Sequence, residues 1–207
     1  MSKPVPHRGY AERRRLLEAM LAASGELGYR RAGVEQVSER AGATPARFYS
    51  QFRDTEDCFA QAHSGLSEVV YARLAGAARR RPGPRQALAA ALGEALEMCA
   101  AQPTLARALL VEPLVAGGEA REQHHRFLNQ LSEVLNRARG EISGANTVPP
   151  SSAAFMVGAI TTMLRDKLMA GEAERAPELL PGLLHLAVLL HLGEEPAGED
   201  MALTPVG

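Results

Sequence analysis

Residues 34–52 read VEQVSERAGATPARFYSQF, and this short stretch gathers the side chains best able to read nucleic acid. Arginine can make a bidentate contact to guanine, glutamine can pair with adenine, and hydroxyls can bond phosphate oxygens. Arg47, Gln51, Thr44, Tyr49 and Ser50 supply these groups, with Pro45 and Ala46 between them. The surrounding pattern is that of two helices joined by a sharp turn. Val34, Val37 and Ala41 recur at helical spacing, and Ala41-Gly42-Ala43 lets two helices approach closely. Thr44-Pro45 opens the second helix: threonine suits the N-cap, and proline suits the next position, where its missing N–H costs nothing. The second helix is expected over about 44–52, with Phe48 and Phe52 joining Val34 and Val37 in a small core. Such a pattern is a helix-turn-helix, whose second helix enters the major groove.

The charge distribution agrees. Residues 1–53 carry ten Lys and Arg against five Glu, a net +5, on a chain whose total is −1. The remainder is therefore acidic, and only the head of the chain is suited to a polyanion. Arg8, Arg13, Arg14 and Arg15 form either an arm that contacts phosphate or a merely solvated basic face.

Other chemistry finds little support. Histidines 63, 124, 125, 185 and 191 lie in no HExxH or Cys/His quartet, so no metal site and no cofactor are expected. No GxSxG, P-loop or dinucleotide-binding glycine pattern occurs, so no enzyme activity is expected. Two cysteines, Cys58 and Cys99, are too few for a disulfide framework. The opening MSKPVPHRGY lacks an apolar segment of the secretory type, and no apolar run reaches the ~20 residues of a membrane span. A cytoplasmic protein without a membrane partner is the expectation.

At 207 residues, 46% hydrophobic, without Trp and with 4% aromatics, the chain favours helix over sheet. Apolar periodicity predicts helices over about 10–27, 34–40, 45–52 and 54–79. Further helices are predicted over about 85–101, 104–116, 119–141, 151–170 and 177–192. The fold class is all-α, about nine helices: an N-terminal three-helix DNA-binding domain over 1–53 and a helical domain over 54–195. A polar tail, 196–207, is expected to be disordered.

Several of these elements together resemble the DNA-binding domain of the TetR family of bacterial transcriptional repressors, over Arg14–Phe59. The carrying residues are Gly28-Tyr29 after an aliphatic first helix, Ala41-Gly42-Ala43-Thr44, Phe48-Tyr49-Ser50-Gln51-Phe52, and Thr55-Glu56 opening the fourth helix. The chain departs from the family pattern at Ala32-Gly33, Ala46, Gln51 and Thr55, which bears on individual phosphate contacts. The resemblance implies a repressor that binds a palindromic double-stranded operator as a homodimer and is released by a small, mainly apolar effector. It implies Arg47 for bases and Thr44, Tyr49, Thr55 and Arg14 mainly for phosphate.

The resemblance further implies a ligand cavity in the body. Expected wall residues are His63, Leu66, Val70, Met98, Cys99 and Leu109, together with Glu112, Phe127, Leu131, Phe155, Met156 and Met163. The last two helices are apolar nearly all round, which calls for burial in a core or against a partner. The expected dimer interface is Phe155, Ala159, Met163, Leu183, Leu184, Ala187, Leu190 and His191. Two rivals stay open: a helical small-molecule-binding protein with no DNA role, and a DNA-binding repressor with no ligand.

Overall fold

A computed structural model describes residues 7–140, 149 and 151–192, with side chains over 9–136, 149 and 151–187. The expected tail at 196–207 and the side chains of Arg8, Leu190 and His191 lie outside the described residues. Every regular element among the described residues is helical: α1 (His7–Leu27), α2 (Val34–Ala41), α3 (Pro45–Tyr49), α4 (Thr55–Arg79) and α5 (Pro84–Ala101). They continue with α6 (Pro103–Leu110), α7 (Glu112–Ala116), α8 (Gly118–Gly140), α9 (Ser151–Ala170) and α10 (Leu180–Leu192). Short 3-10 turns cover Tyr29–Arg31 and Ala173–Leu179. The all-α class is as expected.

The chain divides into two compact units, and the division does not fall at residue 53. The first holds residues 1–67 and 104–124; the second holds 68–103 and 125–207. Thus α6, α7 and the start of α8 belong with the helix-turn-helix.

The first unit is built around Leu16, Met20, Val37, Phe48, Phe52 and Phe59, all buried. Val34 and Ala41 complete the core that angles α2 against α3, as the sequence predicts. Gly42 ends α2 at φ 62°, ψ 38°, a left-handed conformation that glycine adopts without a Cβ penalty. Gly25 meets α6 so closely that a Cβ would stand 2.0 Å from the Thr104 carbonyl oxygen. Only glycine permits that approach.

The start of α4 is doubly capped. The Asp54 carboxylate accepts from the Asp57 N–H at 2.8 Å, and the Asp57 carboxylate accepts from the Arg53 N–H at 2.9 Å. This reciprocal arrangement satisfies donors that a helix start leaves free.

The single helix expected over 104–116 is broken in two. Pro113 has no N–H to offer the Leu109 carbonyl four residues back. His63 supplies the missing donor: its Nε2 lies 3.1 Å from the Leu109 oxygen.

In the second unit, α5 packs on the Ala173–Leu179 turn and on α10, and α9 packs on both. Leu92, Met156, Leu184 and Ala187 form a buried cluster, flanked by Leu88, Leu135, Ile160 and Leu180. No helix among the described residues is long and apolar enough to cross a membrane.

Candidate nucleic-acid interface and ligand cavity

Helix α3 is short, five residues rather than the nine expected, but hydrogen-bonded turns extend it. The Ser50 N–H bonds the Ala46 carbonyl and the Phe52 N–H bonds the Phe48 carbonyl, at 3.1 and 3.0 Å. Thr44 is the N-cap, its hydroxyl accepting from the Arg47 N–H at 3.3 Å. Phe48 is fully buried, and it alone of the five α3 residues turns inward. Thr44, Pro45, Ala46, Arg47, Tyr49 and Ser50 are all exposed, as a reading face requires.

Individual groups differ in availability. The Arg47 side chain is two-thirds exposed, and its Nε lies 4.0 Å from a Glu12 carboxylate oxygen of α1. A pair at that distance in solvent holds the guanidinium loosely and yields readily to another partner. The Ser50 hydroxyl donates to the Arg47 carbonyl at 2.7 Å, so its hydrogen is spent inside the helix. Gln51 is half-buried, and its carbonyl accepts from Arg13 at 3.3 Å. Thr55 is half-buried and pairs with the Tyr29 hydroxyl, so it presents less to a strand than expected. Arg14 is well exposed and pairs loosely with Glu18, 3.6 Å away.

Arg13 leaves the expected basic arm. Its guanidinium stacks over Phe52 at 4.6 Å and bonds the Gln51 carbonyl and the Gln61 side chain. This side chain ties α1 to the end of the reading helix, a role that sequence spacing alone does not reveal. Arg14 and Arg15 stay exposed.

The expected ligand residues divide between the units and mostly do packing work. His63 and Leu109 serve the helix break just described, with Leu66 packed on the first unit's core. Burial of the His63 imidazole lowers its pKa to about 4, against the raising effect of the Leu109 bond. Glu112 is buried but bonded within the chain: it accepts from the Tyr29 N–H at 2.7 Å and from Arg107 at 3.0 Å. A carboxylate held from both sides is not free to meet a ligand. Val70, Cys99, Phe127 and Met156 are buried, Met98 is half-buried, and Phe155 and Met163 are exposed. Burial pushes the Cys58 thiol up to about 12 and the Cys99 thiol up to about 11, so neither supplies a thiolate at neutral pH.

A cavity of about 130 Å³ does exist in the second unit. Of the residues expected, it takes only Leu131. The rest of its wall comes from Tyr71, Leu74, Ala75 and Ala78 of α4, and from Leu88, Ala91, Leu92 and Ala95 of α5. Val134 and Leu135 of α8 and Val157, Ile160 and Thr161 of α9 close it. The alanines at 75, 78, 91 and 95 were the signal for it, since facing helices that stop at Cβ leave room between them.

The interface residues also separate. Phe155, Ala159 and Met163 are exposed along one face of α9, with Phe155 at 75%. Leu183, Leu184 and Ala187 are buried in the unit's own core, so they are not available to a second copy. Leu186, 52% exposed, is what α10 presents instead. No group of His, Cys, Asp and Glu among the described residues could hold a metal ion.

Comparison with solved structures identifies the fold. The fatty acid degradation regulator FadR of Bacillus halodurans superposes with a TM-score of 0.74 at 17% identity, over 94% of this chain and 99% of that one. FadR of Bacillus subtilis, in complex with stearoyl-CoA, gives 0.74 at 17% identity, over 88% and 99%. A TetR family transcription regulator from Marinobacter aquaeolei VT8 gives 0.67 at 20% identity, over 87% and 95%. The chain therefore has the all-α fold of TetR-family and FadR-type transcriptional regulators. No family model matches the sequence, and no curated protein matches it.

Proposed function

We propose that this chain is a DNA-binding transcriptional regulator, a repressor that occupies a palindromic operator as a homodimer and leaves it when a small, mainly apolar effector binds. The observation that carries the reading is the α3 surface: six residues from Thr44 to Ser50 are exposed around a single buried anchor, Phe48. A helix so presented fits the major groove, with Arg47 toward base edges and Tyr49 and Arg14 toward phosphates. Fold likeness to transcriptional regulators supports it. One such helix reads few base pairs, so pairing two copies on a palindrome has a physical motive. The exposed Phe155, Ala159 and Met163 of α9 and Leu186 of α10 supply apolar surface for that pairing. The reading puts the protein in the cytoplasm, with no catalysis and no cofactor.

Effector control is supported by the apolar cavity and by the stearoyl-CoA bound to the Bacillus subtilis neighbour. An effector works only through different affinities for the operator-competent and operator-incompetent states.

The test is a titration of full-length protein against duplexes tiling the DNA beside its own gene, at about 50 and 200 mM salt. One duplex should bind far more tightly than random DNA, and binding should weaken steeply with salt. A protein that only binds small molecules shows no preferred duplex at either salt, and that result overturns the DNA reading.

A further inference from the structure

We propose that the cavity bounded by α4, α5, α8 and α9 is a binding site for an uncharged hydrocarbon group of about six carbons. The inference rests on the effector reading above and adds the chemistry of the occupant. Three observations carry it.

The wall offers almost nothing to hydrogen-bond. It is leucine, alanine, valine and isoleucine apart from Tyr71 and Thr161. The Thr161 hydroxyl lies 2.9 Å from the Val157 carbonyl and 3.1 Å from that of Gly158, so its one hydrogen is spent within α9. The wall also contains no charged side chain. A carboxylate or ammonium entering there would lose its water and gain no partner, which strongly opposes binding.

Size sets the third limit. At about 130 Å³ the space is close to the ~150 Å³ apolar cavities that stay dry and accept benzene. The space exists because Ala75, Ala78, Ala91 and Ala95 end at Cβ where their helices face it. The cavity is partly open to solvent, so the group can be a free molecule or the end of a longer acyl chain whose polar head stays outside. Hydrocarbon chemistry is common to both sources.

Calorimetric titration of the full-length protein with cyclohexane, cyclohexanecarboxylate and octanoyl-CoA tests this. Cyclohexane should bind saturably at one site per chain, and the carboxylate at least about 100-fold more weakly, the cost of an unpartnered buried charge. Ala91→Leu and Ala95→Leu should each abolish cyclohexane binding, with helical circular dichroism checked for both. Octanoyl-CoA that competes with cyclohexane marks the site as one for acyl-chain ends; octanoyl-CoA that does not compete marks it as one for free hydrocarbons. The wild-type comparison of charged and uncharged probes stands even if a variant fails to fold. No saturable cyclohexane binding, or equal binding of the carboxylate, overturns the inference and leaves the DNA reading untouched. Conversely, cyclohexane that binds without changing operator affinity keeps the site and removes its effector role.

Discussion

The carboxylate of Glu112 accepts a hydrogen bond from the backbone N–H of Tyr29 at 2.7 Å, across 83 residues of sequence. The same side chain accepts from Arg107 at 3.0 Å, and Arg107 donates in turn to the Gly25 carbonyl at 3.1 Å. The end of α1 and the turn that leads into α2 are therefore held by the α6–α7 junction. Tyr29 lies five residues before the helix-turn-helix begins at Val34, so this clamp bears on where α2 and α3 are held.

Glu112→Ala should accordingly destabilise the protein more than any surface substitution. It leaves the Tyr29 N–H without its acceptor and Arg107 without its carboxylate. Removing one partner of a buried pair costs about 3–5 kcal/mol; the 29% exposure of Arg107 puts this case at or below the lower end, about 2–3 kcal/mol. Urea unfolding of the variant beside wild type measures it. A loss under about 0.5 kcal/mol would mean the clamp holds nothing.

Within the reading helix, Arg47 and Tyr49 should fail differently. Arg47→Ala should cost about 1–3 kcal/mol on the operator and flatten preference at one base pair per half-site. Tyr49→Phe should weaken operator and random duplex alike, because a phosphate contact carries no sequence information. Both are read by titration against operator, single-base variants and random DNA at fixed salt. Equal loss on all duplexes for Arg47→Ala would make that residue a backbone clamp.

Assembly should depend on the exposed face of α9. Light scattering in moderate salt should give about twice the 22.1 kDa chain mass. Phe155→Glu puts a charge on the most exposed large side chain of that face, and should return the protein to monomer at micromolar concentration without loss of helix. Wild type that is already monomeric at micromolar concentration sinks the homodimer.

The pH response should trace to His63. Its folded pKa is lowered to about 4 by burial among Phe59, Ser67, His124 and the Leu109 carbonyl, against about 6.5 when unfolded. Between those values the unfolded chain binds more protons, so stability rises with pH. The contribution is complete above about pH 6.5 and is lost as pH falls toward 4, up to roughly 3 kcal/mol. His63→Gln keeps a side-chain amide to offer the Leu109 carbonyl and should flatten the slope over that interval in urea melts. An unchanged slope would assign the acid response to other groups.

The helix-turn-helix was legible in the sequence because its causes are local. The Thr44 cap, the left-handed Gly42 and the inward Val37, Phe48 and Phe52 all act within a few residues of each other. The all-helical body was legible from apolar periodicity for the same reason. What the sequence could not determine is where a long-range partner lies. Glu112 and His63 looked like polar residues of a ligand wall; tertiary contact alone joins one to Tyr29 and Arg107 and the other to a carbonyl freed by Pro113. Likewise Arg13 turns from a phosphate arm onto the ring of Phe52. A helix that is apolar all round also carries no mark of its inner face. Only packing decided that Leu183, Leu184 and Ala187 face the protein's own core and Leu186 faces water, because burial depends on which neighbours arrive and not on side-chain type.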